Sequence, residues 1–171
     1  PGATACWRSR GRSSWGAPPL SCASGHSVNH AVLHHGAGAS NSLANHSPDC
    51  ADTVYIYYDY HVNTNGWCDI GYHFLVCPHG TIFDGRDGDA DNNAEGDDVG
   101  AHVGGCNTGL LGICAVGDYE APDPSPVTGT MVDNLVEAYA RIIAWKFDQN
   151  GVSPQGSTAV SCGPGLANIS Y

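Results

Sequence analysis

Eight cysteines spread over 171 residues limit the fold more than any other feature of the sequence. They fall at Cys6, Cys22, Cys50, Cys68, Cys77, Cys106, Cys114 and Cys162, and no two form the C-x-x-C pair of a zinc ribbon or redox site. An even number at irregular spacing reads as a disulfide framework. With one methionine and one lysine (Lys146) beside it, that framework fits an exported chain better than a cytosolic one. The expected setting is therefore secreted, extracellular or periplasmic. One pairing is expected from the local chain: a turn through Asn107-Thr108-Gly109 would return Cys114 to Cys106 within the reach of a disulfide. Two N-x-S sequons, Asn45-His46-Ser47 and Asn168-Ile169-Ser170, are compatible with glycosylation of such a surface.

The length suits one domain over residues 1–171, with residues 1–30 as a loop-rich N-terminal segment. Glycine (23) and proline (10) are abundant, yet 42% of the residues are hydrophobic and gather into runs, which reads as a loop-rich globular protein. The net charge is −11, and three of the six basic residues (Arg8, Arg10, Arg12) sit in the first twelve positions. From Ser13 onward the balance is about −14, a field that repels phosphate backbones and anionic lipid. Nucleic acid and membrane surfaces are thereby excluded as expected partners. No apolar stretch approaches the length of a membrane-spanning helix. The chain opens on Pro1 without a basic-then-apolar leader, so any signal peptide is expected to have been removed.

The apolar run Ala31-Val32-Leu33 ends on His34-His35, the pattern of a buried strand that delivers polar groups at its C-terminal end. Ser47-Pro48-Asp49 has the cap, proline and early acid of a helix start. That helix is expected to reach about His61, with Val54, Tyr55, Tyr58 and Val62 on its apolar face. Tyr72 to Cys77 and Thr81 to Phe83, joined by Pro78-His79-Gly80, read as a hairpin. After a polar loop from Asp84 to Asp98, Leu110 to Val116 reads as another buried strand. A proline-rich link (Ala121 to Pro126) precedes a second amphipathic helix marked by Met131, Leu135, Ala138 and Ile142 and stopped near Gly151. This order implies an α/β fold, a mixed central β-sheet flanked by helices and containing disulfides.

Within the polar loop, Asp87, Asp89, Asp91, Glu95 and Asp98 occupy positions 1, 3, 5, 9 and 12 of a calcium-loop spacing. Asn92 stands where glycine is usual and Asp98 where a bidentate glutamate is usual. Calcium is the cation such hard oxygens would hold; the plainer reading is a solvated acidic face.

Several segments, taken in order, resemble the peptidoglycan-recognition and type-2 N-acetylmuramoyl-L-alanine amidase family. They are Ser14-Trp15-Gly16-Ala17, Val32-Leu33-His34-His35, Asp69-Ile70-Gly71-Tyr72-His73-Phe74-Leu75-Val76, Gly80 to Arg86, Gly100-Ala101-His102 with Asn107, and Gly109 to Ile113. The resemblance implies a zinc ion held by two histidines and a cysteine or acid, with an open position for water or the scissile carbonyl. It assigns His34 as the first zinc ligand and Tyr72 as the catalytic group on the oxyanion side. His35, Arg86, His102 and Asn107 would line a groove for peptidoglycan or a muropeptide. It also implies that His34 and Tyr72 lie on neighbouring strands and face one cleft. His26, His30, His46, His61, His73 and His79 receive no role.

In the family the other two ligands come from a G-H-R-D-like segment and a later T-x-C-P-G-like segment. Leu166 to Tyr171 looks like the approach to the first of these, where the sequence ends. Cys162-Gly163-Pro164-Gly165 precedes that approach, the wrong order for a ligand, so a disulfide or a buried thiol is the expected role of Cys162. Either the domain continues past Tyr171 or it has given up the metal. Two readings follow: an exported zinc amidase cutting between muramic acid and the first alanine of the stem peptide, or a catalytically inactive binding, structural or self-assembling relative stapled by disulfides and calcium. Because one histidine cannot hold a catalytic zinc, this chain alone is expected to release no stem peptide.

Overall fold

The run that ends on the histidine pair forms β1 (His30–His35) in the computed structural model. That structure describes residues 8–18, 22, 25, 27–36, 50–86, 97–119, 129–157, 159–160, 162 and 169–170. Next come α1 (Ala51–Asp59), prolonged by a π turn over Tyr60–Thr64, and the hairpin β2 (Phe74–Val76) and β3 (Ile82–Asp84). They are followed by β4 (Leu110–Ala115), α2 (Gly129–Asn150) and the small pair β5 (Ala159–Val160) and β6 (Ile169–Ser170). The main sheet has the order β1-β4-β2-β3, with β4 parallel to both β1 and β2 and the hairpin antiparallel. The α/β fold with a mixed sheet flanked by helices is therefore as the sequence implied.

Burial on both sides explains the composition of β4, whose six residues are all buried and none charged. Leu111, Ile113 and Ala115 point to one face, against Leu135, Ala138 and Ile142 of α2. Cys114 and Val116 point to the other, against Val54, Tyr57 and Tyr58 of α1. The α2 stripe recurs at helical spacing, and the helix ends before Gly151, whose φ of 64° is open to glycine at little cost.

Three sequence expectations change. The helix α1 starts at Ala51, capped by Cys50, which takes a left-handed φ of 59° and is held by a disulfide to Cys77. Its buried face is Thr53, Val54, Tyr57 and Tyr58, whereas Tyr55 is exposed: one residue is about 100° of helix, enough to carry that side chain out of the core. Cys106 bonds Cys162 and not Cys114, and Cys114 is a buried free thiol. The turn through Asn107 leads straight into β4, and four residues of extended strand carry Cys114 about 13 Å from Leu110, which packs beside Cys106. A third disulfide joins Cys22 to Cys68. The acids Asp87, Asp89, Asp91 and Glu95, the sequon residues Asn45 and Asn168, the Ser47-Pro48-Asp49 helix start and the Ala121–Pro126 link lie outside the described residues.

Candidate functional site

The segment before β2 is held by two buried arginines. Arg12, from the short 3₁₀ turn Arg12–Trp15, makes a bidentate pair with Asp69 at 2.8 and 3.0 Å, both residues being 0% exposed. Asp69 also accepts the Ile70 N–H at 2.8 Å. From the other side Arg86 donates to the Ile70 carbonyl at 2.9 Å and to the Asp69 carbonyl at 3.3 Å. Paired guanidinium and carboxylate groups satisfy one another in a place water does not reach, and the backbone leading to Tyr72 is fixed as a result.

Tyr72 meets His34 and His102 on the α1 face of the sheet. The His34 and Tyr72 rings are 5.3 Å apart between centroids, and His34 Nε2 lies 3.0 Å from His102 Nδ1. The strands are not neighbours as expected, because β4 runs between β1 and β2 and Tyr72 precedes β2 by two residues. The rings close over β4 through Gly112: a Cβ there would run into the His102 ring, so the missing side chain is the space that ring fills. His102 is steadied from behind by Asn107, whose side-chain oxygen accepts the His102 and Val103 N–H groups, each at 2.8 Å.

The cluster is uncharged at neutral pH. Burial, then the neighbouring His73 and His34 rings, brings His102 down to about 3. Burial, then His35, lowers His34. The Tyr72 phenol is raised far above its ordinary range by burial and then by the Cys114 thiol, to which its hydroxyl is hydrogen-bonded. Neutral imidazoles and a neutral phenol offer both donors and acceptors, which suits amides and hydroxyls better than ions.

The zinc expectation can be tested on the donors themselves. His34 and His102 are engaged with each other, and among the described residues no group of three His, Cys, Asp or Glu side chains could hold a metal ion. A catalytic zinc needs three protein donors aimed at one point. The described donor set does not fit zinc.

The remaining sequence-chosen residues are dispersed. His35 turns to the opposite face of β1, its ring 6.1 Å from Tyr119 and its Nδ1 4.0 Å from Asp118, as alternation along a strand requires. Arg86, chosen as a groove residue, is 4% exposed and engaged with the floor of the site. Asp98, the one described member of the calcium spacing, accepts the His73 Nε2–H through its backbone carbonyl at 2.6 Å. Sequence reasoning missed His61 and Trp67, which stack at 4.6 Å, with His61 5.7 Å from Tyr72. Burial, then Arg86, lowers His61 to about 4. The aromatic and polar run from Tyr60 to Trp67, so close to Asp69-Ile70-Gly71-Tyr72, was the available signal.

Comparison with known proteins adds four findings. Residues 24–163 match the family described as N-acetylmuramoyl-L-alanine amidase. Peptidoglycan recognition protein 1 of Mus musculus is 33% identical over 137 residues, 79% of this chain and 70% of that protein. The endolysin of Klebsiella phage KP32 is 45% identical over 56 residues, 33% of this chain and 32% of the endolysin. Among solved structures, the complex of tracheal cytotoxin with the ectodomains of peptidoglycan recognition proteins LCa and LCx aligns with a TM-score of 0.60 and 25% identity, over 78% of this chain and 74% of that one.

Proposed function

Since the chain belongs to the N-acetylmuramoyl-L-alanine amidase family, we propose that it binds a muropeptide across the face made by His34, Tyr72 and His102. The observation that carries this reading is the cluster itself: three neutral rings from separate segments, closed over Gly112. Their N–H, O–H and lone-pair groups match the amides and hydroxyls of a sugar-linked peptide, and their faces can cover its apolar parts. The naming of one relative as a peptidoglycan recognition protein, and of tracheal cytotoxin in the solved complex, supports the same ligand class. Arg86 and Asn107 act by positioning, the first under Tyr72 and the second behind His102. The disulfides support an oxidising setting outside the cytoplasm.

Hydrolysis of the N-acetylmuramoyl-L-alanine bond is the second reading, favoured by the match to a phage endolysin. Zinc would supply an activated water and a polarised carbonyl for it. The described donors do not fit that ion, so Tyr72 is assigned here to binding.

Calorimetric titration with a soluble N-acetylmuramoyl tripeptide tests the proposal. The full chain should bind, Tyr72→Ala should weaken binding by about tenfold as loss of a central aromatic contact does, and Val136→Ser on the outer face of α2 should change nothing. Absence of binding by the unsubstituted chain, or equal affinity in Tyr72→Ala, would overturn it.

A further inference from the structure

The one lysine of the chain, Lys146, is 1% exposed although it sits on an otherwise apolar stripe of α2. Its ammonium pairs with Asp97, whose side chain is 47% exposed, and donates to Gln149 Oε1 at 3.2 Å. A buried charge held against a half-exposed carboxylate is weak ground for stability, since an apolar side chain of similar volume does as well or better. What the pair does accomplish is to tie the segment at Asp97 to the helix.

That segment matters to the site. The next residue, Asp98, offers its carbonyl to His73 Nε2–H at 2.6 Å, while His73 Nδ1 accepts the Gly112 N–H at 2.8 Å. His73 thus bridges the central strand and the tied segment, and its ring stands edge-on to His102 at 5.5 Å. A few residues on, the Ala101 N–H donates to the Gly71 carbonyl at 2.9 Å, next to Tyr72. The same helical turn reaches the other flank as well: Asn150 Oδ1 accepts the Val28 N–H at 3.1 Å, just ahead of β1 and His34, and Asn150 Nδ2 donates to the Lys146 carbonyl at 2.9 Å. Helix α2 covers the sheet face away from the rings, so these ties connect its last turn to both sides of the cluster.

We propose that Lys146 is a positioning residue for the ring cluster, holding Asp97 so that the Asp98 carbonyl fixes His73 and His73 in turn backs His102. Its effect on ligand affinity rests on the muropeptide reading; its effect on His73 does not.

The test uses the full chain, with Lys146→Met, Lys146→Arg and Asp97→Asn, and three measurements: melting temperature, exchange of the His73 ring N–H proton by NMR, and affinity for a soluble N-acetylmuramoyl tripeptide. Lys146→Met should melt close to the unsubstituted chain yet exchange the His73 proton roughly tenfold faster and bind roughly tenfold more weakly, the scale on which small displacements of positioning groups act. Lys146→Arg should keep both at the unsubstituted values, and Asp97→Asn should follow Lys146→Met. Unchanged His73 exchange in both Lys146→Met and Asp97→Asn would overturn the proposal, whatever the melting temperatures. If Lys146→Met does not fold, Asp97→Asn, which removes the charge of a half-exposed carboxylate while keeping an amide oxygen of the same shape beside Lys146, decides it by the same exchange measurement. If the unsubstituted chain binds no tripeptide, the binding reading falls while the His73 exchange still decides the tie.

Discussion

Asp69→Ala lowers the unfolding free energy by about 3–5 kcal/mol, the usual cost of leaving one member of a buried ion pair without its partner. Arg12 and Asp69 are both fully buried, so no water replaces the lost carboxylate around the guanidinium. The Ile70 N–H loses its acceptor at the same time. The Arg86 bonds to the Asp69 and Ile70 carbonyls, the Ala101 N–H on the Gly71 carbonyl and the Cys22–Cys68 disulfide would remain, but the buried charged anchor of the backbone before Tyr72 would be lost, so ligand affinity should fall together with stability. Asp69→Asn, which keeps an acceptor of the same shape, should cost less. Urea unfolding measures the difference, and a loss below about 1 kcal/mol would show that the pair is not the anchor of this segment.

Gly112→Ala should empty the site while leaving the sheet in place. The backbone of Gly112 is ordinary strand, so alanine is not opposed by φ; the obstacle is the His102 ring, which already fills the position of the new Cβ. Overpacking of this kind costs about 1–3 kcal/mol when the neighbour cannot move. His102 can move only by giving up the 3.0 Å contact with His34 and its place beside Tyr72. Affinity for the soluble tripeptide should therefore drop by about a hundredfold, within the range of losses when a central binding contact is removed, with the far-ultraviolet circular dichroism unchanged. Affinity within a factor of about two of the unsubstituted chain would mean that the His102 position is not needed.

Much of this architecture was legible because it rests on local patterning. An apolar run ending on two histidines, a hairpin around Pro78-His79-Gly80 and an unbroken apolar strand at Leu110 each carry their own signal, and their order fixed the α/β class. The site was legible only in part. His34, Tyr72 and His102 were singled out by family-like motifs, but their convergence depends on a strand order that places β4 between the other two and on a glycine at one position of it. His35 was grouped with His34, although alternation along a strand sends adjacent side chains to opposite faces. Arg86 was expected to line the groove and Asp69 had no role of its own, because nothing local says that a guanidinium will be enclosed. Lys146 left a trace that was not read: it falls four residues after Ile142, on the stripe of Leu135 and Ala138, where a lysine has a reason to be. The Cys106 pairing failed for the same cause as the strand order, since spacing along the chain says little about distance across a sheet.

Titrating a soluble N-acetylmuramoyl tripeptide into the chain labelled with nitrogen-15 at histidine shows whether a muropeptide lies on the face made by His34, Tyr72 and His102. The ring signals of His34 and His102 should shift together along one binding curve, with His35 on the opposite face of β1 and His79 in the hairpin turn unmoved. Shifts at His35 or His79, with the signals of His34 and His102 unmoved, would place the ligand on another face and overturn the assignment.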